Sequence, residues 1–261
     1  MSGFREIHGL AERLFEAKQK AQPIPKLTTM VKDLTLADAY GVQRALLALH
    51  LASGESLVGR KMGLTSRPKM QQMGVHVPSI GFLMADMARP EGSAVRTADL
   101  IHPRVECEVA FVTRLPLAGP AVSREEVLAA TDFVLPAIEI IDSRFSGFKF
   151  DLPSVVADNG SSARYVTGGR ARDPRDLDLP SLGVVMEKNG EIVTLGAAAA
   201  VMGHPAEAVA LLVKVLHEIG ETLPAGSFVM SGGITEAVAV KPGDNVIARY
   251  QELGSVSVRF V

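Results

Sequence analysis

The chain has no tryptophan and a single cysteine, Cys107. One thiol cannot close an internal disulfide, so stability rests on a packed core, and a lone cysteine fits a reducing compartment. Neither sign of charge dominates: 27 Lys and Arg face 29 Asp and Glu, a formal net charge of −2. That balance offers no electrostatic footprint for nucleic acid. No apolar run reads as long enough to span a membrane, and residues 1–20 carry charges throughout, unlike a signal peptide. P-loop, dinucleotide fingerprint and serine-hydrolase elbow are all missing. His76, His102 and His204 share no ligand spacing and read as structural. The expectation is a cytoplasmic protein with no nucleic-acid or membrane partner.

What is present begins with size: 261 residues, 47% hydrophobic, suffice for one large core or one domain with a small appendage. Phe4, Ile7, Leu10, Leu14 and Phe15 form one stripe over 4–20, which predicts a helix ended by Gln22-Pro-Ile-Pro25. Thr35 caps a second helix that stops at Gly54. After Gly54 the pattern shifts to strands at 105–113, 134–141, 227–231, 245–250 and 255–261, with a hairpin over 184–193 turning at Asn189-Gly190. Helices are expected at about 123–131, capped by Ser123 with Glu126, and at 205–219, stopped by Gly220. Residues 168–180 read as a surface loop. Strands and helices do not alternate, so the expectation is α+β with a mixed, curved sheet or roll: a helical region at 1–55 followed by a catalytic domain at 56–261.

Glu106 and Glu108 sit one residue apart in the apolar strand Val105-Glu-Cys-Glu-Val-Ala-Phe-Val112, so both point one way and Val105, Cys107 and Val109 the other. Glu139 lies within Val134-Leu-Pro-Ala-Ile-Glu-Ile-Ile141, an apolar setting for a carboxylate. Like charges on a buried face are costly unless a cation sits among them. With no Cys/His cluster, three such acids point to a hard divalent ion, Mg²⁺ or Mn²⁺. The alternatives are a solvated face for the first two and a salt-bridged core acid for the third. Lys61 is flanked by Gly59 and Gly63 on its own side of a strand, which would leave room for a ligand. Asp158-Asn-Gly-Ser-Ser162 and Ser231-Gly-Gly-Ile-Thr235 are small hydroxyl-rich loops that could embrace an anion or be ordinary turns, with Ser161, Ser162 and Thr235 as the candidate contacts. Cys107 faces away from the acids and reads as packing, not as a nucleophile.

From about residue 34 onward the chain resembles the fumarylacetoacetate hydrolase superfamily, in its hydratase/decarboxylase branch. The resemblance is carried by Lys61-Met-Gly-Leu-Thr-Ser66, Met73-Gly-Val-His-Val-Pro-Ser-Ile-Gly-Phe-Leu83, the Glu106/Glu108 strand, Glu139-Ile-Ile-Asp-Ser-Arg144, Val156-Ala-Asp-Asn-Gly-Ser-Ser162 and Pro242-Gly-Asp244. It implies a mixed β-roll and homo-oligomers. It also implies Mg²⁺ or Mn²⁺ held by Glu106, Glu108 and Glu139, with Lys61 as the family lysine and a 2-oxo acid bound through its 1-carboxylate and keto oxygen. Hydratases of the branch carry an acid after the position of Gly74. Here that stretch is Gly74-Val-His-Val-Pro-Ser-Ile80. A hydratase needs an acid to move protons, whereas a nearby carboxylate would repel a second substrate carboxylate, so the missing acid favours decarboxylation of a dioate.

The expected substrate is 2-oxo-3-hexenedioate, losing CO₂ to give 2-hydroxypenta-2,4-dienoate. The alternatives are a 2-hydroxypenta-2,4-dienoate hydratase and a non-catalytic partner subunit of a hydratase, and a complex with the downstream hydratase is also expected. Charge counting calls for further cations to admit a dianion: Arg144, Arg67 and Arg164 are candidates. Ile80, Phe82 and Leu83 either line an apolar pocket at C6 or pack the core.

Overall fold

The structure, a computed structural model, describes residues 2–66, 70–71 and 78–261, with backbone alone at 2–5. Three helices come first: α1 (Ser2–Lys20), α2 (Leu27–Met30) and α3 (Leu36–Ala52). Thr35 caps α3 reciprocally with Asp38, each side chain bonding the other's backbone N–H. Leu10 and Leu14 of α1 and Val42 and Leu46 of α3 share one buried cluster with Phe82, Met84 and Met230. The helical region thus covers a face of the sheet that follows.

Thirteen strands are described: β1 (Leu57–Gly63), β2 (Ser79–Met84), β3 (Ala88–Arg89), β4 (Ala94–Val95), β5 (Arg104–Thr113), β6 (Thr131–Ile141), β7 (Ser162–Thr167), β8 (Gly183–Lys188), β9 (Glu191–Ala197), β10 (Phe228–Met230), β11 (Val238–Ala239), β12 (Asn245–Tyr250) and β13 (Gly254–Phe260). The larger sheet runs β2-β1-β10-β5-β6-β7-β3 with β11 also on β5, and the smaller runs β4-β13-β12-β8-β9. β1/β10, β3/β7 and β4/β13 are parallel and the other pairs antiparallel, so both sheets are mixed and the class is α+β. The β8–β9 hairpin turns on Asn189 and Gly190, both at positive φ (57° and 87°), as a primed turn demands. Ser123 caps the helix Arg124–Ala130 through a capping box with Glu126. Contrary to the sequence expectation, residues 198–218 are apolar over a length that could span a membrane. The helix Pro205–Glu218 within that stretch buries Val209, Leu212, Val213 and Leu216 in the core, which accounts for its composition.

Candidate active site

Strand pairing sets the site. In the β5–β6 ladder Glu106 lies directly opposite Glu139, Glu108 opposite Ala137 and Arg104 opposite Ile141. The two-residue period puts Arg104, Glu106 and Glu108 on one face of β5. Lys61 of β1 joins them, and Lys61, Glu106, Glu108 and Glu139 line one cavity of about 430 Å³ with Met62, Ile141, Phe148 and Phe150 among its apolar walls. Glu108 and Glu139 are each 1% exposed and Lys61 3%.

Lys61 Nζ donates to both oxygens of Glu139, at 2.6 and 2.7 Å, and to the Gly160 carbonyl at 3.4 Å. Gly81 faces Lys61 across the β1–β2 ladder, where a Cβ would come within 2.9 Å of Lys61 Cγ; a glycine is what lets the lysine lie there. Gly59 does not serve a ligand. A Cβ on it would fall 1.8 Å from the Phe228 carbonyl oxygen, so its role is the close approach of β10. Gly63 does line the cavity.

Both small-residue loops reach the acids. Asn159, Gly160 and Ser161 all have positive φ (54°, 60°, 61°), a left-handed run that costs the two non-glycine residues about 1–2 kcal/mol each. The Asn159 side chain clamps β2 by accepting from Phe82 N and donating to Phe82 O, at 2.8 and 2.9 Å. The next hydroxyl, Ser162 Oγ, donates to Glu139 Oε1 at 2.8 Å. Ser161 lines the cavity, although its hydroxyl donates to Asp158 at 3.2 Å. In the other loop Gly232 N–H donates to Glu108 Oε2 at 2.8 Å. Thr235 departs from expectation: it does not line the cavity, and its Oγ1 accepts from Cys107 N at 3.1 Å.

Arg144 also departs from expectation. Its Nε donates to Asp158 Oδ1, its Nη2 to the Asp158 carbonyl, and its Nη1 to the carbonyls of Asp142 and Ser162 at 2.8 and 3.1 Å. Its buried guanidinium is consumed by structure, not aimed at the cavity. Arg164 lines a different cavity, with Lys18, Asp86 and Asp99. Ile80, Phe82 and Leu83 are buried core residues, not cavity walls. Arg67, His76 and the stretch 73–77 lie outside the described residues. His204 caps the helix at 205, its Nδ1 accepting from Ala206 N at 3.0 Å. Cys107 is buried and burial pushes its thiol up to about 12, which suits packing and not nucleophilic attack.

Arg104, Phe148 and Lys149 line the cavity and were not among the candidate site residues. Arg104 carried a usable signal, because extending the alternation of Glu106 and Glu108 back by two residues lands on it. Phe148 and Lys149 fall in Phe145-Ser-Gly-Phe-Lys-Phe-Asp-Leu152, a block that resembles the decarboxylases of the branch, and a loop after β6 brings them in.

The electrostatics ask for a cation. Among the described residues, three carboxylates share the cavity with Lys61, which is bound to Glu139, with the half-buried Arg104 and with Lys149 at its exposed edge. Burial, followed by the charge of Glu139, raises the Glu108 carboxyl well above its ordinary range, against the pull of Lys61 and the Gly232 N–H. An all-oxygen, negatively charged donor set on one sheet face suits Mg²⁺ or Mn²⁺. Among the described residues no trio of acids is drawn tightly enough to grip an ion as it stands, and Lys61 donates to both Glu139 oxygens. Binding would require Glu139 to share them.

Comparison with known proteins gives the family. The family described as fumarylacetoacetate (FAA) hydrolase C-terminal matches residues 55–261. The chain belongs to this family. Within it, the chain is 56% identical over 256 residues to 4-oxalocrotonate decarboxylase of Pseudomonas sp. (strain CF600), covering 98% of this chain and 97% of that one. It is 40% identical over 262 residues to 2-hydroxyhexa-2,4-dienoate hydratase of Comamonas testosteroni, covering 100% and 99%. The structure of 4-oxalocrotonate decarboxylase from Pseudomonas putida G7, complexed with magnesium and adipate, superposes with a TM-score of 0.96 at 51% identity, covering 98% of each chain.

Proposed function

We infer that this protein is a metal-dependent 4-oxalocrotonate decarboxylase, converting 2-oxo-3-hexenedioate to 2-hydroxypenta-2,4-dienoate and CO₂. What carries the reading is the 56% identity to a decarboxylase over 98% of the chain, against 40% to a hydratase over a similar span. The absence of an acid between Gly74 and Ile80 points the same way.

The reaction needs no base to start. The C5–C6 bond breaks, its electrons form C4=C5 and move through C3 to the keto oxygen, and C6 departs as CO₂. Charge therefore appears at one oxygen, and the site must stabilise it there. Glu106, Glu108 and Glu139 are assigned to hold Mg²⁺ or Mn²⁺, which when bound supplies Lewis acidity at that oxygen. Lys61 is assigned to donate a hydrogen bond, and then a proton, to the developing enolate. Its anchorage between Glu139 and the Gly160 carbonyl fixes Nζ at the cavity wall. Ser161 and Gly233 of the two small-residue loops also line the cavity.

We also place the protein in the cytoplasm as a homo-oligomer able to associate with the hydratase that consumes its product. Ile192 and Leu195, 63% and 68% exposed on the edge strand β9, support assembly with further chains. The deciding experiment is CO₂ release from 2-oxo-3-hexenedioate with and without Mg²⁺. Metal-dependent release is expected. Hydration of 2-hydroxypenta-2,4-dienoate without release of CO₂ from the dioate would establish the hydratase instead.

A further inference from the structure

A dioate brings two carboxylates into a cavity already rich in acids, so one cation must be kept for the far end. Among the described residues the cavity offers Lys61, Arg104 and Lys149. Lys61 is engaged by both oxygens of Glu139. Lys149 is exposed at the rim. Arg104 is half-buried, and no carboxylate of the described residues lies within ion-pair reach of it. Its recorded partner is a ring: Cζ lies 4.2 Å from the Phe148 centroid.

That arrangement suits ligand capture. A guanidinium lying over an aromatic face is held by the ring's quadrupole while its in-plane N–H edge stays available for a bidentate carboxylate. The ring is itself fixed. Phe148 has φ 58°, a left-handed conformation that a bulky residue adopts only when its surroundings impose it. It packs between His102 and Phe150, with centroids 5.3 and 5.7 Å away. Position along the strand completes the case. Arg104 precedes Glu106 by two residues on the same face of β5, about 7 Å along the strand. Glu108 lies two residues farther on. A six-carbon chain with its keto-acid end at the glutamates therefore extends its other end toward Arg104.

We propose that Arg104, seated on Phe148, binds the distal carboxylate of the substrate and sets the preference for dicarboxylic over monocarboxylic 2-oxo acids. This rests on the reading of the site as acting on a dioate. The distal carboxylate loses its charge as it leaves, so the ion pair is strongest before the reaction. Removing it should raise KM more than it lowers kcat.

The probes are adipate and hexanoate, a matched pair differing by one carboxylate, titrated calorimetrically into the Mg²⁺-loaded protein. In Arg104→Met, adipate binding is expected to weaken by about tenfold or more while hexanoate changes little. Arg104→Lys, which keeps the charge but loses the fork, should fall between, and Phe148→Leu should weaken adipate binding with the arginine intact. Either of these milder variants reports if Arg104→Met fails to fold. Adipate bound equally well by Arg104→Met and the wild type overturns the proposal, as does equal loss of both ligands. Wild-type CO₂ release from the dioate separates the two readings. If release is normal and Arg104→Met leaves adipate binding unchanged, the subsite assignment alone fails. If release is absent while adipate is still selected through Arg104, the reaction assignment fails and the subsite stands.

Discussion

Two buried ion pairs both bond to the loop 158–162, and they behave as different objects. In Arg144–Asp158 every partner is spoken for: the guanidinium also reaches three carbonyls, and Asp158 also accepts from Arg144 N and Ser161 Oγ. In Lys61–Glu139 the pair faces a cavity that Glu106 and Glu108 also line. A buried pair whose hydrogen bonds close on themselves is architecture. One that opens onto a cavity lined by further carboxylates can be reached by a ligand, and that access is what marks a candidate chemical site.

The contrast is broken most sharply by activity. Lys61→Met and Glu139→Gln are expected to lower kcat by about 10²–10⁴-fold, as losses of a proton donor or of transition-state electrostatics do. Both variants should remain folded by circular dichroism. EDTA should give a comparable loss in the wild type, reversed by Mg²⁺. A Lys61→Met enzyme with undiminished CO₂ release would remove the lysine from the chemistry.

The structural pair should answer in the other currency. Asp158→Asn strands the Arg144 guanidinium in the interior and should cost about 3–5 kcal/mol in denaturant unfolding. That loss should be the same with and without Mg²⁺. A metal-dependent loss would mean that the two pairs are coupled and the distinction drawn above is false.

Acid unfolding gives a smaller effect, centred on a histidine that shares a small cavity with Arg144. His50 of α3 is 2% exposed, and burial, aided by the charge of Lys18, lowers its imidazole to about 3 from an ordinary 6.5. Its Nδ1 lies 2.9 Å from Glu55 Oε2. The folded state holds it neutral while the unfolded chain takes up a proton below pH 6.5. Its contribution to stability is therefore complete above that pH and is lost as the pH falls, by up to about 1.4 kcal/mol per unit. His50→Gln should flatten the dependence between pH 6 and 4. An unchanged slope would show that another group governs it.

How much of this was legible in the sequence follows from what each residue needs to be recognised. β5, β6, β12 and β13 announce themselves by alternation or by apolar runs between turns, and the capping boxes at Thr35 and Ser123 are local by nature. β2 escaped because Ser79–Met84 is buried on both faces and carries no period of two. The acid trio could be found because carboxylates stand out against apolar neighbours. Arg144 was misjudged for a complementary reason: nothing local reveals that Asp158, fourteen residues on, neutralises it. Gly59 was misjudged likewise, since only the fold brings the Phe228 carbonyl against it. The choice between an ion pair that completes the core and one that serves a ligand is a property of the surroundings, which the sequence scatters from residue 61 to residue 232.

The subtlest consequence concerns the sign of a stability change. Glu108→Gln is nearly isosteric, and the Gln side-chain oxygen can still accept from Gly232 N–H. In metal-free protein the change removes one of the like charges that crowd Glu139, so it should stabilise, by about 1–2 kcal/mol. Mg²⁺ reverses the order. Wild-type stability rises with the logarithm of metal concentration once that concentration exceeds Kd, whereas the variant, short of one anionic ligand, gains less. The two melting curves should therefore cross as Mg²⁺ is titrated, with the variant higher at zero metal and lower at saturation. Should Glu108→Gln melt below the wild type in the presence of EDTA, the cavity's negative charge is already compensated by groups in the protein, and the electrostatic case for a divalent ion there is lost.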